Sequence, residues 1–142
     1  MIEVEGSRRD FRASGPVGDR AAEVWHRWTT PGTWSGWDRG LRGAELPGPF
    51  VAGARGTLVG LDGRRSRFVV DEVDPGRRVR WHVPLPGARM DLTRTIADGV
   101  AEHHVRFRGP LAPVWAAVLG RRFRPLLGPT LAALLADTDD RA

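Results

Sequence analysis

Between Arg55 and Arg108 apolar and polar residues alternate in short runs broken by turn residues, the pattern of strands with one dry face. Asp62-Gly63 predicts a two-residue hairpin joining a strand over residues 55–61 to one over 64–73. Asp74-Pro75-Gly76-Arg77 suits a four-residue loop leading into a strand over 78–83. Asp98-Gly99 predicts a second tight hairpin, between strands over 89–97 and 100–108, and Pro84-Leu85-Pro86-Gly87 joins the middle pair less tightly. Counting outward from these turns sets Ile96 against Ala101, Leu92 against Val105, Met90 against Phe107, Phe68 against Val83 and Val70 against Trp81. Every one of these pairs is apolar. The other face collects Arg67, Asp71, Arg80, His82, Asp91, His104, Arg106 and Arg108. A slip of one residue would undo all of the pairs at once, so the agreement argues for an antiparallel meander.

The flanks have a different texture. Residues 2–14 read as a first strand, and Asp19 is placed to cap a short helix over residues 20–28 with Ala21, Val24, Trp25 and Trp28 on one face. Pro31-Gly32 ends it, and Trp34 and Trp37 follow in a further helical turn, where a surface pair would close a pocket mouth. Residues 110–137 repeat apolar positions at helical spacing, including Leu111, Trp115, Val118, Leu119, Leu127 and Leu134. Pro125 and Pro129 are expected to bend or interrupt that helix. A sheet with one dry face and a long amphipathic helix must cover each other. The expected fold is therefore α+β, one domain over residues 1–142, with a curved antiparallel sheet around a C-terminal helix and a pocket between them.

Composition narrows the function classes. The 142 residues hold 41% hydrophobic and 27% charged positions, an ordinary globular balance. There is no cysteine, which removes disulfides, thiol chemistry and cysteine-bound metal. No apolar run is long enough to span a bilayer, and the first residues lack the apolar stretch of a signal peptide, so a cytoplasmic protein is expected. Net charge is +5, but all 22 basic residues are arginine and they are interleaved with Asp and Glu. Nucleic acid is thus a disfavoured partner, and a solvated basic surface the simpler account. His103 and His104, adjacent in a strand, face opposite sides and share no metal; neither a phosphate loop nor a nucleophile elbow occurs. No cofactor or metal is expected.

Several segments taken together resemble helix-grip proteins of the START/Bet v 1-like superfamily, in particular its polyketide cyclase/dehydrase branch. They are TTPGTWSGWD at residues 29–38, GPFVAGARGTL at 48–58, VDEVDPGRRVRW at 70–81 and GPLAPVWAAVLGRRF at 109–123. The resemblance spans nearly the whole chain and implies the same fold. For function it implies a cavity that binds a small hydrophobic ligand such as a lipid, a hormone or a polyketide-like aromatic, or else ring closure of such a substrate.

Polar residues on the dry face are the informative ones, because a buried unpaired charge costs several kcal/mol or more. The registers place Arg94 opposite His103, both inward, and Glu72 opposite Val79 on the same face. One reading makes His103 a general acid/base near neutral pH, with Arg94 polarising a carbonyl or holding a carboxylate or enolate and Glu72 bridging to Arg94. The other makes Arg94–Glu72 a satisfied ion pair and His103 an ordinary half-buried strand residue. Ligand contacts are expected from Trp25, Trp28, Trp81, Leu92, Val105, Trp115, Val118 and Leu119. The absence of tyrosine departs from many cyclase-type pockets. Three functions remain open: hydrophobic-ligand binding, a cyclase/dehydratase, and a basic adaptor for acidic protein, RNA or membrane surfaces using Arg121, Arg122 and Arg124. The chain is expected to be a monomer or homodimer.

Overall fold

The computed structural model describes residues 2–137. Its element order is β1 (Glu3–Gly6), β2 (Asp10–Pro16), α1 (Ala21–Trp28), a 3₁₀ turn (Pro31–Gly36), β3 (Leu41–Glu45), β4 (Arg55–Gly60) and β5 (Arg65–Asp74). Then come β6 (Arg78–Leu85), β7 (Ala88–Ala97), β8 (Val100–Arg108), α2 (Ala112–Trp115), a π turn (Ala116–Gly120) and α3 (Arg121–Asp137). All eight strands form one curved, unclosed antiparallel sheet in the order β1-β2-β8-β7-β6-β5-β4-β3. The helical run from α2 through α3 lies across its inner face, which is the α+β helix-grip arrangement.

The β7–β8 hairpin has the register that its turn dictates. Asp98 and Gly99 both take positive φ, 53° and 75°, and close a two-residue turn that pairs Ala97 with Val100. From there Ile96 meets Ala101, Arg94 meets His103, Leu92 meets Val105 and Met90 meets Phe107. Between β6 and β7, Pro86-Gly87 alone makes the turn, with Leu85 opposite Ala88, a tighter connection than the sequence suggests. The turn also anchors the helix: Leu111 N–H donates to the Gly87 carbonyl at 3.0 Å, and Trp115 Nε1–H to the Pro86 carbonyl at 2.8 Å.

Two other turns depart from the expected count. The Asp62-Gly63 hairpin closes with three residues rather than two: Gly60 N–H donates to the Arg64 carbonyl at 2.9 Å, and Gly63 takes the left-handed position at φ 84°. The β5–β6 loop also holds three residues, since Asp74 pairs with Arg78. The residue thereby returned to the strand is absorbed by a bulge at Asp71, so Val70 still meets Trp81. Between bulge and loop the register shifts, placing Val73 against Val79 and Glu72 against Arg80.

At the N-terminus the single expected strand is a hairpin, β1 paired with β2. Gly6 at φ 103° makes the bend, where a Cβ would lie 2.2 Å from the Asp10 carbonyl oxygen. Arg20, without a side-chain cap bond, begins α1 in place of the Asp19 cap. The prolines do not break the last helix. Pro125 and Pro129 lie inside α3, and the irregularity sits upstream in the π turn, where Gly120 meets the Arg8 backbone so closely that a Cβ would be 2.1 Å from its oxygen. Trp34 and Trp37, expected at a pocket mouth, are fully buried: the 3₁₀ turn folds inward, and Trp34 Nε1–H donates to the Arg27 carbonyl at 3.0 Å.

Candidate functional site

A cavity of about 530 Å³ lies between the inner sheet face and the helical run. From the sheet it is walled by Trp81, Val83, Met90, Leu92 and Val105, and from the helices by Trp115, Val118, Leu119, Phe123 and Leu127. Alternation on β6, β7 and β8 aims these side chains at one face, and the distorted helix supplies the opposite wall. The exposed Asp62 and Arg64 of the β4–β5 loop and Arg65 at the start of β5 line its outer end, with Arg122 of α3.

Its polar end is made by three groups. Arg94 on β7 and His103 on β8 stand directly opposite each other, flanked by Val79 on β6 and Ala13 on β2. Asp38, just past the 3₁₀ turn, brings its Oδ2 to 3.6 Å from Arg94 Nη2, while its Oδ1 accepts from Gly40 N–H at 2.8 Å. Arg94 is 2% exposed, and its guanidinium lies 5.0–5.2 Å from the ring centroids of Trp34, Trp37 and Trp81. Asp38 takes Nη2 and the rings cover the flanks, but Nη1 is buried with no hydrogen-bond partner among the described residues. Such a vacancy costs about 1–3 kcal/mol or more for a charged donor, so it needs a reason.

His103 is held differently from the sequence expectation. Trp28 Nε1–H donates to its Nε2 at 2.9 Å. An indole N–H can only donate, so Nε2 must be unprotonated and the ring proton must sit on Nδ1. Burial, and then the Arg94 charge, push the His103 pKa well below its usual value. Near neutral pH the ring is therefore a fixed neutral N–H donor rather than a titrating base. Burial also lowers the Arg94 pKa to about 10, against the opposing attraction of Asp38. At Asp38 burial raises the pKa, and Arg94 and the Gly40 N–H pull it back.

Arg94, His103, Trp81, Leu92, Val105, Trp115, Val118 and Leu119 all line the cavity. Trp28 does not; it lies behind His103 as its hydrogen-bond donor. Trp25 is half-buried against the core, away from the lining. Glu72 is not part of the inner row. The bulge turns it outward, where Arg78 donates to it at 2.9 Å and Arg80 lies at 3.8 Å. The position that balances Arg94 is filled by Asp38, which closes the TTPGTWSGWD segment but follows no strand periodicity that could have assigned it a face.

On the outer face Asp71, His82 and Asp91 bring ligand-type atoms within 4.8 Å of one another. Arg89 and Arg108 already donate to those carboxylates, so the charge that would hold a cation is neutralised.

The family described as polyketide cyclase / dehydrase and lipid transport matches residues 9–138. The chain belongs to that family. Solved structures share its fold at low identity: a Rhodobacter sphaeroides protein is 15% identical over the whole of both chains with a TM-score of 0.70. Protein Ms6760 from Mycobacterium smegmatis is 13% identical, again over both whole chains, with a TM-score of 0.67. DynU16, a protein of the dynemicin biosynthetic locus, is 22% identical with a TM-score of 0.62, over 87% of this chain and 46% of its own. A search of curated proteins finds no match. Within this family member no helix among the described residues is long and apolar enough to cross a membrane.

Proposed function

We propose that this protein binds a small hydrophobic molecule in the cavity between β6–β8 and the C-terminal helices. The observation that carries the reading is the cavity itself: about 530 Å³ walled by Trp81, Leu92, Val105, Trp115 and Leu119, with the buried Arg94 and Asp38 at one end and exposed charges at its outer end. That volume is typical of small-molecule sites, and apolar walls with a few convergent polar groups are their usual make-up. Family membership supports the same class of ligand. The test is native mass spectrometry of the purified protein, followed by titration with an apolar fluorescent probe. Leu92→Trp, which fills the cavity, should abolish probe binding while the protein stays folded; unchanged binding would mean that the probe sits elsewhere.

A second reading, a cyclase or dehydratase acting on such a ligand, is favoured by Asp38. It is a carboxyl group with a raised pKa beside two buried donors, which suits proton exchange with a bound substrate. In that reading Asp38 rather than His103 moves the proton, and Asp38→Asn should remove turnover while retaining ligand affinity. The surface-adaptor reading has less support, because Arg124 donates to the Gly6 carbonyl and the outer-face arginines are largely paired with Asp and Glu.

A further inference from the structure

We infer that the cavity takes an amphipathic anion, its apolar body between sheet and helices and its carboxylate or phosphate head at the outer end, on Arg64 and Arg122. The inference rests on the ligand-binding reading and adds the head group and its direction. Leu58 pairs with Ser66 and Gly56 with the buried Phe68, so alternation carried back into the hairpin sets Ser66 and Arg64 on the inner face. Arg64 thus reaches the outer end of the cavity from the sheet, and Arg122, in the first turn of α3, from the helical wall. Val118 lines the cavity and is 56% exposed, so an apolar wall runs out to solvent one turn before Arg122. The Arg122 guanidinium has neither ion pair nor hydrogen bond among the described residues. That of Arg64 has only Asp62, at 3.6 Å, and its side chain is 88% exposed.

The two ends of the cavity differ in the charge they accept. At the inner end Asp38 already offsets Arg94 in a desolvated corner, so an anionic head there would leave two anions against one cation. At the outer end Arg64, Arg65 and Arg122 outnumber Asp62, and the head keeps part of its hydration while it gains arginine contacts. A cationic head would meet like charges there, and an uncharged one would gain little from them. Between the ends Trp81, Leu92, Val105, Trp115 and Leu119 offer apolar surface, which sets the direction of the chain: tail inward, head outward. Ser66, exposed and lining the same opening, adds a hydroxyl donor.

The experiment is displacement of Nile red from the purified protein by dodecanoate, dodecyl phosphate, dodecanol and dodecyltrimethylammonium, at pH 8 and low ionic strength. The better of the two anions should bind about fivefold more tightly than dodecanol, as two exposed charge contacts allow, and the cation more weakly than dodecanol. Which anion leads tells a carboxylate head from a phosphate. Added salt should narrow the gap between anion and alcohol. Arg64→Gln combined with Arg122→Gln should close it, and Asp62→Asn, which removes the competing carboxylate, should widen it. Arg67→Gln, on the outer face and away from the cavity, should change none of the four affinities. Equal binding of anion and alcohol, or a gap that survives the double arginine variant, overturns the head assignment and leaves the apolar cavity standing. Failure of all four to displace Nile red, or Nile red binding unchanged by Leu92→Trp, overturns both.

Discussion

On the outer face of the sheet, Asp91 accepts from Arg89 at 2.8 Å and from Arg108 at 3.3 Å, and Asp71 from Arg89 at 3.2 Å with His82 beside it at 2.7 Å. Asp10 does the same for His104. On the inner face of the same strands, Arg94 faces a single carboxylate at 3.6 Å and keeps one N–H unanswered. Most outer charges are part-exposed and paired, although Arg80 Nε there is also buried without a hydrogen-bond partner among the described residues. The inner ones have one partner, three tryptophans and a cavity. Charges that satisfy one another need no further explanation, whereas a desolvated donor left unpaired is a cost to folding. The same strands thus carry an exposed charge network on one side and a buried ion pair beside a cavity on the other.

The largest effect should come from separating the inner pair. Arg94→Met leaves Asp38 without its counter-charge and should cost about 3–5 kcal/mol in urea unfolding, the usual penalty for orphaning a buried ion. Adding Asp38→Leu should recover most of that loss, because an apolar pair of similar bulk needs no solvation. The double variant should still fold. A single variant as stable as wild type would show that the pair is not desolvated, and the contrast between the faces would collapse.

How the inner pair came to be legible is a matter of turn chemistry. Asp98-Gly99 permits essentially one hairpin, so Arg94 opposite His103 follows from counting. Glu72 was misplaced because its loop contains a proline and a glycine that fit either three or four residues, and nothing in VDEVDPG marks Asp71 as the bulged position. The two errors cancel at Val70–Trp81, which is why the apolar pairs beyond the bulge agree with the sequence count. Asp38 and the burial of Trp34 and Trp37 depend on how an irregular segment packs against a distant strand, and no local periodicity encodes that. Pro125 and Pro129 do not interrupt α3, which runs through both, and the break in regular α-helix is the π turn upstream of them.

A pH titration should separate the faces with a smaller but still clear effect. Burial lowers the His103 pKa below the 6.5 of the unfolded chain. Its contribution is therefore complete above pH 6.5 and lost as pH falls towards the folded value, at up to about 1.4 kcal/mol per unit. Asp38 acts with the opposite sign. Its raised pKa means the folded state holds its proton longer, so stability declines as pH rises from 3.8 through the folded value. In an Asp38→Asn background, unfolding free energy should fall from pH 6.5 to 5, and adding His103→Gln should flatten that slope. A slope that survives His103→Gln would assign the effect to other groups and dissociate it from the cavity.

The smallest effect belongs to the outer network. Arg108 is 51% exposed, and removing it by Arg108→Ala leaves Asp91 still bonded to Arg89 at 2.8 Å. Exposed ion pairs contribute about 0–1 kcal/mol and are screened by salt. The variant should lose less than about 1 kcal/mol at low ionic strength and less again in high salt, with ligand affinity unchanged. The inner pair should respond little to salt, because screening ions do not enter an apolar cavity. Should Arg108→Ala match Arg94→Met in cost, or should added salt weaken both equally, the two faces would be one electrostatic system.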